Sequence, residues 1–385
     1  MGQFDYSFGI EEEYFLSSAA TGNLVSHAPK RLLNAAREKL GNAVTAELLQ
    51  SQIEIASPIF QSMDEAAQSM GELRSQLAEL VGRMGLRLTA ASTHPLGAWR
   101  EQTATEKPRY DQLMSDFRII GQRNLVCGMH VHVGVPDGVD RVALMNRVMP
   151  WLPVFLALST SSPFWDRHIT GLLSYRQAIY DEWPRSGIPD FFDGERDYES
   201  FIALMTKAGA VKDASYFWWA IRPALKFPTL EMRIADVCTR VEDGIAIAAL
   251  YRALVATLVE RPELSAIYTT HTRRLIDENR WYAKRDGIDA KFIDERTHER
   301  IPLAALVRHL VELVRPAADR LGCLPAIRRI EEILRSGTSA HAQLRLYNER
   351  RAAGESRNKA LHHVVDWLIT TTARPVRSVA SDMIE

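Results

Sequence analysis

Two periodicities alternate along the first 240 residues. Apolar side chains recur at every second position in "YSFGIEEEYFLS", "LRLTAASTHP", residues 126–135, "YFWWAIRP" and "PTLEMRIADV", which predicts strands, the last ending near Val237. The stretch 45–57, "TAELLQSQIEIAS", predicts one extended strand or a bent pair. Thr21-Gly22-Asn23 supplies a turn after the first strand, and Pro95 closes the third. Helical spacing runs over 29–40, over "MDEAAQSMGELRSQLAELVGRMG" with Asp64 near its start and Gly85 at its stop, over about 108–122 and over 139–158. Residues 95–107 are polar and read as mobile. Residues 162–194 mix Pro, Gly and aromatics without a clean period, which predicts a long functional loop. From Arg240 onward the character changes, and "VEDGIAIAALYRALVATLVER", "LAALVRHLVELVRPAADRLG", "AIRRIEEILRSG" and "NKALHHVVDWLITTTA" read as amphipathic helices. The expected organisation is a sheet-containing core over 1–240 with a helical region over 241–385 packed on it.

Composition narrows the partners. The 385 residues are 46% hydrophobic and carry a net charge of −1. That fraction supports a large core, and a near-neutral chain offers nothing to nucleic acid or an anionic membrane. No uninterrupted apolar run reaches the ~18 residues of a spanning helix. The opening "MGQFDYSFGIEEE" lacks the basic and apolar blocks of a secretory signal, and Tyr6 stands where myristoylation requires Ser or Thr. Cys127, Cys238 and Cys323 form no CxxC pair, which predicts reduced thiols and a cytoplasmic location.

The polar positions inside the strands carry the chemistry. Side chains i and i+2 of a strand share a face. His130 and His132 therefore point one way, with Met129, Val131 and Val133 opposite. Glu11 and Glu13 share a face, as do Glu231 and Arg233, and "ELLQSQIEIAS" adds Glu47 and Glu54. So many carboxylates on one sheet face would repel each other, and unpaired buried charge is costly. Divalent cations relieve that. Many carboxylates with few imidazoles and no thiols suit Mg²⁺ or Mn²⁺ better than zinc, and Mg²⁺ commonly arrives with phosphate ligands. Neighbouring arginines suit phosphate or carboxylate oxygens. The residues thus point to a multi-metal, nucleotide-using site. No GxxxxGK[ST] or GxGxxG motif occurs, which excludes P-loop and Rossmann nucleotide sites. Glu12 falls on the opposite face, where an apolar residue is expected.

"GIEEEY" resembles the opening strand of the glutamine synthetase-like ligases, "GMHVHVG" their histidine strand and "TLEMR" their late Glu-x-Arg strand. With "STHP" (92–95), "ALSTSSPFW" (157–165), "WAIRPALKFPTLEMRIAD" (219–236) and the helical C-terminus, the chain resembles the bacterial carboxylate–amine ligases over nearly its whole length. These are also called type 2 glutamate–cysteine ligases. The resemblance implies an α+β fold: a curved, antiparallel-rich, glutamine synthetase-like sheet flanked by helices, with a helical C-terminal region. It implies ATP and Mg²⁺ (or Mn²⁺) at the site. Glu11, His130 and Glu231 match the ligands of one metal, which bridges ATP's phosphates. Glu13 and Glu54 match the ligands of a metal nearer the substrate carboxylate, with Glu47 as an additional ligand. His132 matches a phosphate contact, and Arg233 and Arg222 match arginines that stabilise the transferring phosphoryl group. Arg176 is a candidate for substrate binding. The implied reaction activates the γ-carboxylate of L-glutamate as an acyl phosphate and passes the acyl group to an amine, the amino group of L-cysteine being the first candidate. Expected partners are these small molecules, with assembly into a homo-oligomer left open.

Taken singly, each feature has a plainer explanation. Glu-x-Glu is often a solvated strand start, His-x-His is as often structural as functional, and Glu231 with Arg233 suits a simple ion pair. Trp218 and Trp219 lie on opposite faces, one for the core and the other for a pocket. Two further functions fit parts of the pattern: a metal hydrolase opened by His-x-His, and a catalytically silent binding protein on a ligase scaffold. The hydrolase needs further histidines on later strands, whereas His168, His271, His298 and His309 fall in loops or helices.

Overall fold

The computed structural model describes residues 5–264 and 268–375. Seven strands form one sheet: β1 (Phe8–Ser18), β2 (Val44–Ala46), β3 (Gln52–Ala56), β4 (Leu86–Thr89), β5 (Met129–Gly134), β6 (Ile221–Pro223) and β7 (Thr229–Met232). Their order is β6-β7-β5-β1-β3-β2, with β4 pairing the far end of β1, and every pairing is antiparallel. With the helices around it and a helical C-terminal region, this is the α+β class expected. The 45–57 stretch is a bent pair, with Glu47 in the connection.

Alternation sets the two faces. In β1, Phe8, Ile10, Glu12 and Tyr14 are buried on one side, while Glu11 and Glu13 are partly accessible on the other. Met129, Val131 and Val133 of β5 and Leu230 and Met232 of β7 continue the buried side. The helices Met63–Gly82 and Val241–Glu260 pack beneath it. Gly244 permits the close approach: a Cβ there would lie 3.2 Å from Met129 Sδ and 3.4 Å from Glu12 Oε1.

Glu12 has its explanation on this buried side. Arg74, from the helix Met63–Gly82, forks onto both carboxylate oxygens, Nη2 to Oε1 at 2.6 Å and Nε to Oε2 at 2.8 Å. The same guanidinium donates to the carbonyls of Thr239 (2.9 Å) and Cys238 (2.8 Å), and the Tyr14 hydroxyl donates to Glu12. Every charge in this group is met by a hydrogen bond. A buried pair is tolerated on that condition, whereas removing one partner typically costs about 3–5 kcal/mol.

Several elements depart from the sequence pattern. The 108–122 helix is two, Pro108–Phe117 and Ile119–Gln122, broken at Arg118, whose φ is +51°. Residues 95–107 are held by buried Leu96 and Trp99 and by one short helical turn, Trp99–Glu101. The 162–194 loop contains a short helix, Tyr175–Tyr180. Between the C-terminal helices stand a further helix, Thr272–Asp286, and a two-stranded hairpin, Lys291–Asp294 with Glu299–Pro302, which interrupts the helical region. Residues Arg141–Ser159, two helices joined by a short turn, are together long and apolar enough to cross a membrane. Most of that segment is instead buried within the protein.

The motif segments outside the sheet face are structural. Asp236 accepts from Ser161 N (3.0 Å), Ser162 Oγ (2.7 Å) and Ser174 Oγ (2.9 Å), tying "ALSTSSPFW" to the chain leaving β7. His94 of "STHP" bonds Ser17 at 2.9 Å, and burial pushes its pKa down to about 3, so it is a neutral core imidazole.

Candidate active site

Register places the polar side chains opposite one another on the accessible face. Glu11 pairs with His130, Glu13 with Glu54, Glu231 with His132 and Arg222 with Glu231. These residues line one cavity of about 580 Å³, together with Glu47, Arg176 and Arg233. Every residue expected at the site therefore reaches the same cavity. Additional wall residues were not singled out by their sequence pattern, among them Arg109, Tyr110, Asn124, Tyr180, Trp183 and Lys226. Trp218 faces this cavity while Trp219 is buried on the other side.

Two donor groups stand out. In the first, ligand atoms of Glu11, His132 and Glu231 lie within 4.8 Å of one another. His132 Nδ1 pairs with the Thr229 hydroxyl at 3.0 Å, which fixes the ring. Its Nε2 has no hydrogen-bond partner among the described residues and faces Glu11 at 3.6 Å and Glu231 at 3.9 Å. Burial pushes the His132 pKa down, but these carboxylates outweigh it and raise the pKa. Burial pushes Glu11 up, but His130 and His132 outweigh it and hold its carboxyl well below the usual range.

In the second group, Glu13, Glu47 and Glu54 present oxygens within 4.8 Å of one another. Glu13 accepts from Gly128 N at 2.7 Å, Glu54 from Thr45 Oγ1 at 2.9 Å and Glu47 from Leu48 N at 3.2 Å. Burial, and then Glu13, push the Glu47 carboxyl up to about 7. Burial, and then Glu47, Glu11 and Glu13, raise Glu54 well above the ordinary range. Three carboxylates that cannot all ionise alone are a hard-cation donor set, which fits Mg²⁺ or Mn²⁺.

His130 sits between the groups, with Nδ1 3.1 Å from Glu11 and Nε2 3.9 Å from Glu13. Burial and the Arg233 charge lower its pKa, leaving a neutral ring with free lone-pair capacity. The family resemblance groups Glu11 and Glu231 with His130, whereas the first donor group here contains His132.

Glu231 has two guanidinium partners. Arg222 forks onto it, Nε at 2.7 Å and Nη2 at 3.2 Å, and Arg233 donates to Oε1. Burial pushes Glu231 up, but Arg233 and Arg222 outweigh it and hold its carboxyl well below the usual range. Arg233 also approaches the Tyr180 hydroxyl at 3.4 Å. The arginines are thus oriented by Glu231 on the cavity wall, ready for anionic oxygens.

The architecture is shared with solved ligases. The fold matches a bifunctional glutathione synthetase from Pasteurella multocida with a TM-score of 0.70, at 13% identity over 95% of this chain and 52% of that one. It also matches a glutamate–cysteine ligase from Francisella tularensis, crystallised with AMP, with a TM-score of 0.67 at 13% identity over 99% and 91% of the two chains. At this identity the likeness shows a shared fold; that the chain is an ATP-dependent ligase of the glutamate–cysteine ligase type rests on its family.

Residues 7–363 match the Glutamate-cysteine ligase family 2 (GCS2), and the chain belongs to that family. Relatives named "Putative glutamate--cysteine ligase 2" are 42% identical in Bradyrhizobium sp. (strain ORS 278), over 98% of this chain and 91% of the relative. In Ectopseudomonas mendocina (strain ymp) the identity is 41%, over 95% and 97%.

Proposed function

We propose that this protein joins the γ-carboxylate of L-glutamate to an amine at the expense of ATP, with L-cysteine the first candidate acceptor. A carboxylate is a poor acyl donor because oxide is its leaving group. Transfer of ATP's γ-phosphoryl group to it gives an acyl phosphate, from whose acyl carbon an amine displaces phosphate to form an amide. Glu11, His132 and Glu231, with His130 beside them, would hold one divalent cation, and Glu13, Glu47 and Glu54 another. Bound cations would neutralise phosphate and carboxylate charge there. Arg222 and Arg233 bind equatorial phosphoryl oxygens, and Glu231 keeps both guanidinium groups aimed at them. The observation that carries this proposal is the pair of donor groups flanked by these two arginines, in a chain of this family. A hydrolase of the His-x-His type is less well supported, because only His130 and His132 among the described histidines line the cavity.

The test is glutamate-dependent ADP release, with hydroxylamine as a small, strong acceptor. The expected product is γ-glutamyl hydroxamate, one per ADP, in Mg²⁺ or Mn²⁺ and none in EDTA. Full turnover in EDTA, or ATP-independent hydrolysis with no hydroxamate, would contradict the proposal. A screen of amines in place of hydroxylamine then identifies the acceptor.

A further inference from the structure

We propose that Lys107 and Tyr110 are positioning residues: they hold Glu47 in the second donor group, and through it they set the affinity of the cation assigned to that group in the function proposed above, on which this inference rests. Glu13 and Glu54 face each other on paired strands, so register fixes both. Glu47 has no such support. It follows β2 in the connection to β3, outside the paired residues of those strands. Yet its carboxylate presents an oxygen within 4.8 Å of the other two. Something other than the sheet ladder places it there.

Residues 103–110 supply that support. They run along the connection as a strap. Thr105 N donates to Leu48 O at 2.9 Å, Gln50 N to Thr103 O at 2.9 Å and the Gln50 side chain to Ala104 O at 3.1 Å. Leu49 and Ala104 form an antiparallel bridge between the two stretches. These bonds fix the chain after Glu47. Two side chains fix the residue before it. The Lys107 ammonium and the Tyr110 hydroxyl both donate to Ala46 O, at 3.1 and 3.0 Å, and the ammonium lies 4.8 Å from the centre of the Tyr110 ring. Ala46 O therefore anchors the backbone at the point where Glu47 leaves β2, with one of its two donors charged.

Lys107 acts on a bound cation in two opposed ways. Its charge attracts Glu47, so it stands close enough to repel a cation held there. The side chain is only half-buried, which screens that repulsion. Groups that orient metal ligands, by contrast, typically change metal affinity by about 10–100-fold. Positioning should therefore outweigh repulsion, and the sign of the Lys107 effect separates the two. Tyr110 carries no charge and reports positioning alone. Linkage adds a further consequence. If the strap holds Glu47 where a cation needs it, the bound cation holds the strap in return. The same segment carries Arg109 and Tyr110 of the cavity wall, so one stretch of backbone ties that wall to the ion.

The experiment is titration of the protein with Mn²⁺ alone, free Mn²⁺ being read by electron paramagnetic resonance. Glu47→Gln identifies the ion of the second donor group as the one whose affinity falls. Tyr110→Phe keeps the ring and deletes the donor, and Lys107→Met keeps the length and deletes the charge. Each should weaken that ion about 10-fold or more and leave any other bound ion unchanged. Lys107→Arg should lose less than Lys107→Met. Wild-type affinity in Tyr110→Phe would overturn the inference. So would tighter binding in Lys107→Met, which would make the lysine a repelling neighbour and nothing more, or an equal loss at every bound ion, which would be a general loosening of the fold. Should neither variant fold, hydrogen exchange in wild type decides. Mn²⁺ at about ten times its Kd should slow the Gln50 and Thr105 amides about 10-fold, and unchanged exchange overturns the inference. If no Mn²⁺ bound to wild type is weakened in Glu47→Gln, the place of Glu47 in the donor group is overturned, and this inference with it.

Discussion

Glu54→Gln should melt at a higher temperature than wild type in EDTA, yet lose activity on the order of 10²–10³-fold in Mg²⁺, the loss typical when one preorganised electrostatic group is removed. Both effects have one cause. Glu54 is crowded by Glu47, Glu11 and Glu13, and its ionised form is disfavoured by burial. Without a cation, the neutral amide relieves that repulsion. With a cation, the lost charge is a lost ligand. The sign with pH follows. Glu47 and Glu54 titrate higher in the folded protein than in the unfolded chain. Their stabilising contribution is therefore full at acidic pH, below the ordinary glutamate pKa of 4.5; that of Glu47 is lost as pH rises through about 7, and that of Glu54 as pH rises through its own raised pKa. Thermal melts of wild type in EDTA should fall from pH 5 to pH 8 by more than those of Glu54→Gln, and Mg²⁺ should flatten the wild-type slope. Equal slopes, or a Glu54→Gln protein as active as wild type, would show that no cation is held there.

Glu231→Gln should behave in the opposite way in stability and the same way in activity. This carboxylate is 2% exposed and sits between two guanidinium groups, so it relieves like charge instead of adding to it. Removing its charge leaves Arg222 and Arg233 facing each other without a counter-ion. Breaking a buried pair in this way costs about 3–5 kcal/mol. Urea denaturation should show that loss at neutral pH, and the loss should shrink on acidification, because a carboxyl held below its ordinary pKa contributes stability only while ionised. Turnover should fall on the order of 10³-fold as the arginines lose their aim. A variant that loses stability but keeps wild-type turnover per folded molecule would make Glu231 an ion-pair partner and nothing more. The two glutamates are one strand-face pattern in the sequence, and their surroundings separate them.

That contrast marks what a sequence can carry. Strand alternation put Glu11, Glu13, His130, His132 and Glu231 on one face, because the period of a strand is local. It could not choose between the histidines. That depends on cross-strand register, which sets Glu231 opposite His132 and Glu11 opposite His130. Glu12 was unexplained for a similar reason: its partner Arg74 lies 62 residues away on a helix. Tyr180 and Trp183 were hidden in a segment with no period, since a short helix held by long-range bonds to Ile234 and Asp236 needs little amphipathic pattern of its own. The break at Arg118 was equally silent, because neither Gly nor Pro marks it.

The most direct test of the central claim follows oxygen. L-glutamate labelled with ¹⁸O in its γ-carboxylate is turned over with ATP, Mg²⁺ and hydroxylamine, and the released phosphate is analysed by mass. If the γ-carboxylate attacks ATP's γ-phosphorus, one labelled oxygen leaves with phosphorus when the amine displaces it. The phosphate should then carry one ¹⁸O per hydroxamate formed, with ADP as the other product. Label in AMP, or phosphate free of ¹⁸O, would contradict the acyl-phosphate route.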